Sequence, residues 1–241
     1  MKEEKRKLNV HTLFWYFIFF SILGLLIETA FCYITTGVLE SRKGLMWGPF
    51  CPVYGVGAII LVVILNKYKD KPLKLFIAGA LVGGLVEYLL SFVLEGIYSS
   101  RFWDYGYLPF NVNGRICLTY NVYWGILAIM LIKYMKPKLD KVLEEFTGKK
   151  VFLLEKIILV FLIINTAVTI WGATVYKDRA IDIYYNRQKE ENVDLIDKIE
   201  NDYFSNERML KTFPNLRVQI EGKSDIFIRD ILNREVRDGT I

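Results

Sequence analysis

Five long apolar runs occupy the first three quarters of the chain, and short polar connections separate them. The first run has one charged residue in 23, and as an α-helix it is long enough to cross a hydrocarbon core of about 30 Å. A polar segment without a spanning run follows the fifth. The pattern predicts an all-α fold, a polytopic transmembrane helix bundle of about five spans with a small polar C-terminal tail region. The predicted spans are 13–35, 50–65, 73–98, 116–135 and 151–176.

The chain is therefore expected to have three parts. Residues 1–12 form a basic arm, residues 13–176 the transmembrane helical domain, and residues 177–241 a soluble or membrane-peripheral tail. Basic residues concentrate in the arm and in the connections 66–74 and 133–150, so the positive-inside rule places the N-terminus in the cytoplasm. Five crossings put the tail outside, whereas the cations that directly follow the fifth span oppose this. The sequence leaves the side of the tail open.

The second span is shorter than the others, and its start is interrupted by Pro49 and Pro52. Because proline is tolerated in the first helical turn, the regular helix is expected to begin near Pro52. The chain before it is expected to be irregular, at or near membrane depth. Such chain is tolerated where it is buried in protein or lines a wet cavity. The pattern does not decide whether this span crosses fully or is re-entrant.

The tail has its own periodicities. Apolar residues at helical spacing predict amphipathic helices near 195–203 and 227–232, and alternation over 216–220 predicts a strand. The sequence thus predicts a small folded or membrane-leaning appendage.

Composition supports the membrane assignment and narrows the chemistry. The chain is 53% hydrophobic and 15% aromatic, which is too apolar for an ordinary soluble domain. Its net charge of +5 lies in clusters that orient spans, so no nucleic-acid partner is predicted. With His11 as the single histidine, multi-histidine metal motifs are excluded and a Ser-His-Asp site is not expected. We predict no metal and no cofactor.

Three glutamates lie inside apolar runs: Glu28 in the first span, and Glu87 and Glu95 in the third. An ionisable residue at this depth costs at least ~2.5 kcal/mol, so such residues normally face other helices or water. By helical spacing Glu87 shares a face with Gly83 and Ser91, while Glu95 diverges from it. Two roles stay open for these carboxylates: structural ion pairs, or binding of a substrate, an ion or a proton.

With the N-terminus inside, Glu28 is expected in the outer half of its span, Glu87 near the middle and Glu95 near the outer end. The two loops poor in basic residues lie on that outer side. This predicts one polar, externally facing cavity, walled by the first, third and fourth spans and roofed by the two loops. Loop cations are expected to neutralise the carboxylates; these are Arg42, Lys43, Arg101 and Arg115. The candidate substrate- or ion-binding residues are Glu28, Glu87, Glu95, Arg115, Asn121, Trp47, Asp104 and Asn113.

Both loops combine many aromatic rings with many turn-forming residues. An interfacial aromatic belt explains the rings, whereas a shaped binding loop also explains the turn formers; both interpretations stay open. Cys51 and Cys117 stand at the inner edges of these loops. A disulfide between them is one pairing that the sequence allows if that side is oxidising.

Two long loop motifs, WGPFCPVYGVGA at 47–58 and FWDYGYLPFNVNGRICL at 102–118, resemble the signatures of a bacterial membrane family of ABC-transporter type IV permeases. With the spans that carry Glu28 and Glu87, the similarity covers about 13–135. The tail segment NERMLKTFPNLR at 206–217 also resembles this family. The resemblance implies a multi-pass protein of the bacterial plasma membrane with a permease-like role, and it brings no set of catalytic or substrate residues.

The sequence has no G-x-x-x-x-G-K-S/T phosphate loop, so nucleotide hydrolysis would require a separate ATPase subunit. The predicted partners are the lipid bilayer and either such a subunit or further copies of this chain. The leading hypothesis is a permease-like transport component that binds a small polar solute or a coupling ion. The alternatives are an intramembrane enzyme that acts with paired glutamates on a lipid-linked or envelope substrate, and a membrane scaffold or regulatory subunit. No recognised catalytic motif supports the enzyme.

Overall fold

The computed structural model of the chain describes residues 9–98, 101–187, 194–220 and 226–238. Within these ranges it is dominated by α-helices, and the only strands form two short antiparallel pairs. The helices of the apolar part are α1 (Val10–Thr36), α2 (Pro52–Leu65), α3 (Pro72–Tyr98), α4 (Leu118–Ile129), α5 (Lys136–Glu145) and α6 (Lys149–Tyr184). The predicted all-α membrane bundle is confirmed.

In the described part of the chain, three helices are long and apolar enough to cross a membrane, over Val10–Thr36, Pro72–Ile97 and Lys149–Tyr184. The helix α2 has 14 residues and α4 has 12, so each rises only about 20 Å at 1.5 Å per residue. These two short apolar helices fall where the second and fourth spans were expected. The count of five spans stays a prediction.

Helix ends differ from the predicted ends because local capping and long-range packing, not hydropathy, set them. The helix α1 begins before residue 13, since the Asn9 side chain accepts the Thr12 N–H at 2.8 Å and caps it. It ends at Gly37, whose φ of 73° suits a residue without Cβ. The helix α6 continues eight residues past the predicted end at 176, and Ala180 in this extension is fully buried. The predicted start of the tail at 177 therefore lies within a helix.

A π-helical turn, Met130–Met135, joins α4 to α5 without a break. Pro137 has no N–H to offer the carbonyl four residues earlier, and its ring would clash with that carbonyl. The Lys136 N–H bonds the Leu131 carbonyl five residues back, as the wider turn requires. The predicted span 116–135 is thus a shorter α-helix that widens into this turn and leads into an amphipathic helix.

The described residues of the tail, 194–220 and 226–238, fold into a small unit of three helices and one strand pair. These elements are α7 (Leu195–Tyr203), α8 (Asn206–Thr212), α9 (Ile228–Asp238), β3 (Arg217–Val218) and β4 (Ile226–Phe227). Its buried residues, among them Phe204, Met209 and Ile228, pack against Ala173 and Tyr176 of α6. The helix predicted near 195–203 is present as α7, whereas the strand predicted over 216–220 covers only Arg217–Val218. The helix predicted near 227–232 begins at Ile228, because Phe227 pairs with Arg217 in the strand pair. The tail rests on the last third of α6.

The bundle has two distinct ends. At one end, where basic residues cluster, Tyr16 and Lys136 hydrogen-bond Asp140, and His11 and Trp15 hydrogen-bond Glu155. At the other end lie the irregular loop that follows α1, the loop that follows α3, and the tail. The second loop carries the strands β1 (Asn111–Val112) and β2 (Ile116–Cys117). The structure thus places the tail on the same end as both loops.

Candidate functional site

Glu87 lies on α3 in the interior of the bundle, with 7% of its surface exposed. One carboxylate oxygen accepts the Tyr105 hydroxyl at 2.8 Å, and the other accepts the Trp124 indole N–H at 2.9 Å. Tyr105 belongs to the loop after α3, whereas Trp124 belongs to α4. Close packing of α3 on α4 makes the second bond available, because Gly83 leaves room for the Trp124 side chain. Both donors to Glu87 are neutral groups.

Glu28 lies on α1 and is half-buried. Its carboxyl is hydrogen-bonded to the Tyr54 hydroxyl, which α2 supplies. The Tyr54 side chain fits against Gly24, where any Cβ would overlap the ring. Arg42, in the loop after α1, acts electrostatically on the same carboxyl. The tyrosine of the WGPFCPVYG motif therefore holds a carboxyl of the neighbouring helix.

The carboxyls of Glu28 and Glu87 lie within electrostatic range of each other. We call Glu28, Tyr54, Glu87, Tyr105 and Trp124 the carboxyl cluster. The Tyr105 ring also stacks on the Tyr120 ring, with centroids 4.4 Å apart. Burial raises the pKa of the Tyr105 hydroxyl, and the neighbouring Glu87 raises it further. Tyr105 is therefore a neutral hydrogen-bond donor at physiological pH.

Glu95 lies outside the carboxyl cluster, in an ion-pair network at the loop end of α3. Its carboxylate pairs with the Arg115 guanidinium and, at 3.3 Å, with Arg101. Arg115 is 8% exposed and also donates to the Ser91 hydroxyl at 3.0 Å. Its guanidinium lies near the Phe92 ring, 5.5 Å from the centroid. This geometry identifies Glu95 and Arg115 as a structural pair that fastens the loop to α3.

Asn121 follows Tyr120, whose ring stacks on the Tyr105 ring of the cluster. It lies on α4 opposite Gly84, one helical turn from Glu87 along α3. Its Oδ1 atom is buried and has no hydrogen-bond partner among the described residues. A buried acceptor without a partner is costly, so a hydrogen-bond donor placed beside this atom would be stabilising.

The other three candidates hold the loops in shape. The Trp47 backbone exchanges two hydrogen bonds with the Asn165 side chain, at 3.1 and 2.8 Å. Asp104 accepts the Gly106 N–H at 2.9 Å, and Asn113 donates to the Tyr88 hydroxyl at 3.0 Å. The structure thus brings Glu28 and Glu87 within electrostatic range of each other, and it uses Trp47, Asp104 and Asn113 in contacts that shape the loops.

The sequence interpretation missed the role of Trp124 as a ligand of Glu87. An indole counts as apolar in a hydropathy pattern, although it carries one strong donor. Trp124 follows Tyr120 and Asn121 by about one helical turn, and this spacing is the signal that places all three on the side facing α3.

The three cysteines are free thiols in the structure. Cys51 and Cys117 are both buried, and the bridge that the sequence allows between them is not formed. Within the described ranges, no group of three or more His, Cys, Asp or Glu side chains is placed to hold a metal ion.

Comparison with known proteins gives one finding. The family model described as "Putative ABC-transporter type IV" matches residues 15–170, which include both loop motifs and the whole carboxyl cluster. The tail segment at 206–217 lies outside this match. Comparison with curated proteins and with solved structures finds no match. Since the family model covers well over half of the chain, the chain belongs to the ABC-transporter type IV family.

Proposed function

We propose that this protein is the permease-like component of an ABC-type transport system in a bacterial plasma membrane, with its N-terminus in the cytoplasm. It binds a small polar solute or a coupling ion at the carboxyl cluster, from a cavity that opens at the loop end of the bundle. The observation that carries the proposal is the environment of Glu87, a buried carboxylate whose hydrogen bonds come from neutral donors.

A buried charge is stable when an opposite charge compensates it. Two arginines compensate Glu95, whereas no ion pair of Glu87 occurs in the described part of the chain. Tyr105 and Trp124 fix the carboxylate in space without cancelling its charge, and Glu28 adds a second negative charge nearby. Two carboxylates within electrostatic range of each other favour the uptake of positive charge, which a cationic group of a solute, an ion or a proton can supply. This supports a binding role for the cluster.

The energy for transport comes, in this proposal, from a separate ATPase subunit, because the chain has no phosphate loop. The candidate docking segment is the basic connection 133–150 that contains α5. In α5 Leu143 is buried, whereas Lys138 and Lys141 are exposed. Purification from the native membrane in mild detergent tests this step, since an ATPase subunit should co-purify in a fixed ratio. Absence of any such subunit would contradict the ABC assignment of the mechanism.

Substitution of Glu87 by glutamine tests the site. Solutes taken up by cells with the protein and not by cells without it are first identified by mass spectrometry. Glu87→Gln is expected to lower their uptake at least ~10-fold, because the amide keeps the shape of the carboxylate and removes its charge. Glu28→Gln should act in the same direction.

The control is Glu207→Gln, which makes the same change at an exposed position of α8, away from the carboxyl cluster and from the docking segment. It should leave uptake unchanged, and all three variants should be present in the membrane at equal amounts. Wild-type uptake by the Glu87→Gln variant would exclude the carboxyl cluster as the binding site.

A second candidate function is a scaffold or regulatory subunit whose tail recruits a partner. It is favoured by the uncovered apolar face of α7, where Leu195 is 70% exposed and Ile196 is 56% exposed. An exposed apolar face of this kind is typical of an interaction surface. Replacement of both residues by serine should release a co-purifying partner if the tail recruits one. Retention of every partner by this variant would exclude the second candidate.

A further inference from the structure

The tail reaches both loops through two arginines. Arg229 of α9 donates to a Glu40 carboxylate oxygen at 3.0 Å, in the loop after α1. Arg217 of β3 lies 3.5 Å from an Asp104 carboxylate oxygen, in the loop after α3. The Arg217 backbone N–H also bonds the Arg101 carbonyl at 3.2 Å. One small folded unit thus contacts the two loops at once.

A single aromatic ring joins the two arginines. The Phe227 ring lies 4.0 Å from the Arg217 guanidinium and 4.5 Å from the Arg229 guanidinium. Pairing of β3 with β4 sets Arg217 directly opposite Phe227. We call Arg217, Phe227 and Arg229 the arginine clasp. An isolated exposed ion pair contributes little to stability, but stacking on a shared ring orders both guanidinium groups before they meet their carboxylates.

Each arginine of the clasp pairs with an acidic loop residue, Asp104 or Glu40, that is close in sequence to a residue acting on Glu87 or Glu28. Asp104 directly precedes Tyr105, whose hydroxyl is bonded to Glu87. Glu40 lies two residues before Arg42, which acts on Glu28 and is 3.6 Å from Glu40. The contacts of the tail therefore reach, over one or two residues, the groups that surround the Glu28 and Glu87 carboxyls.

We propose that the arginine clasp positions the two loops over the carboxyl cluster. Arg217 acts through Asp104 on Tyr105, and Arg229 acts through Glu40 on Arg42. The arginines are positioning residues, since neither contacts the cluster itself. The proposal concerns the placement of the loops and does not require the transport function.

Two native thiols report on the two loops separately. Cys117, 1% exposed, belongs to the loop after α3, and Cys51, 8% exposed, belongs to the loop after α1. The experiment uses the full-length chain in lipid nanodiscs, with Cys32 replaced by serine, and measures the rate at which a water-soluble maleimide labels each thiol. The matched control is Arg208→Glu, because Arg208 packs on Tyr203 within the tail, with the guanidinium 5.0 Å from the ring centroid.

Arg217→Glu is expected to speed labelling of Cys117 at least ~10-fold, because local opening of a released loop exposes its buried thiol. Arg229→Glu should do the same for Cys51, and Arg208→Glu should change neither rate. Arg217→Lys keeps the charge that faces Asp104 and should keep most of the protection of Cys117.

Unchanged labelling rates in both glutamate variants would overturn the proposal. So would equal increases at both thiols in every variant including Arg208→Glu, since these would show general destabilisation of the tail. Solute uptake is a separate measurement, so failure of the transport proposal would leave these labelling results standing.

Discussion

Replacing Arg115 by alanine is expected to lower the free energy of unfolding by about 3 kcal/mol, the lower end of the cost of breaking a buried ion pair from one side, because Glu95 is partly exposed and keeps Arg101 as a partner. The substitution leaves Glu95 with the longer contact to Arg101, at 3.3 Å, and removes the donor to the Ser91 hydroxyl. It also empties the space beside Phe92. The loop after α3 then loses its main attachment to that helix. Unfolding in mixed micelles with a rising fraction of dodecyl sulfate measures the loss.

Arg101→Ala is the matched control, because it removes the other guanidinium that faces Glu95. Its side chain is 21% exposed, against 10% for Arg115, so water compensates more of the loss. We expect a cost below about 1 kcal/mol for the contact to Glu95. Arg115→Lys should fall between the two, because lysine keeps the charge and loses the planar fork. Equal losses for Arg115→Ala and Arg101→Ala would contradict the assignment of Arg115 as the main attachment.

The divergence of Glu95 from Glu87 was predictable from the sequence, and their different partners were not. Helical spacing alone turns Glu95 away from the face shared by Glu87 and Ser91. The partner of each carboxylate depends on where the loop after α3 folds back. That path is set by the turn at Asp104 and by the bond from Trp103 to the Arg115 carbonyl, at 3.1 Å. A hydropathy pattern contains no information about the path of a loop.

The elements of the tail were predictable in the same local sense, because periodicity reports which face of a helix or strand is apolar. Their position was not. The contact between Glu40 and Arg229 joins residues 189 positions apart, and no local pattern encodes it. The extension of α6 has the same origin, since burial of Tyr176 and Ala180 against the tail keeps the helix regular beyond its apolar run.

The partner of Glu28 could not be predicted from the resemblance of the loop motifs to a family. The motif at 47–58 contains Tyr54, and its sequence alone suggests a shaped loop or an interfacial ring. The Tyr54 hydroxyl is hydrogen-bonded to Glu28, which lies 26 residues earlier on another helix. The contact requires glycine at position 24, because a Cβ there would overlap the Tyr54 ring. Gly24 and Tyr54 therefore depend on each other. A single sequence shows both residues and not their pairing.

Substitution of Gly79 by leucine is the second change with a large expected effect. A Cβ at Gly79 would overlap the Ala128 side chain, and it would lie 3.4 Å from both the Gly125 Cα and the Trp124 carbonyl. The overlapping atom is the Ala128 Cβ, which is fixed to the α4 backbone and cannot move aside as the end of a flexible side chain can. The helices α3 and α4 must separate to accept the larger residue. Overpacking of this kind is expected to cost about 3 kcal/mol, measured by the same unfolding assay.

The separation of α3 from α4 should also reach the carboxyl cluster, because the bond between Trp124 and Glu87 spans the same pair of helices. Gly96→Ala is the matched control on α3, since nothing lies within 4 Å of a Cβ at that position. It is expected to be neutral or to stabilise by up to about 1 kcal/mol, because alanine favours a helix more than glycine does. Equal losses for Gly79→Leu and Gly96→Ala would show that α3 tolerates no side chain at any glycine. That result would contradict close packing on α4 as the reason for Gly79, and with it the account of how Trp124 reaches Glu87.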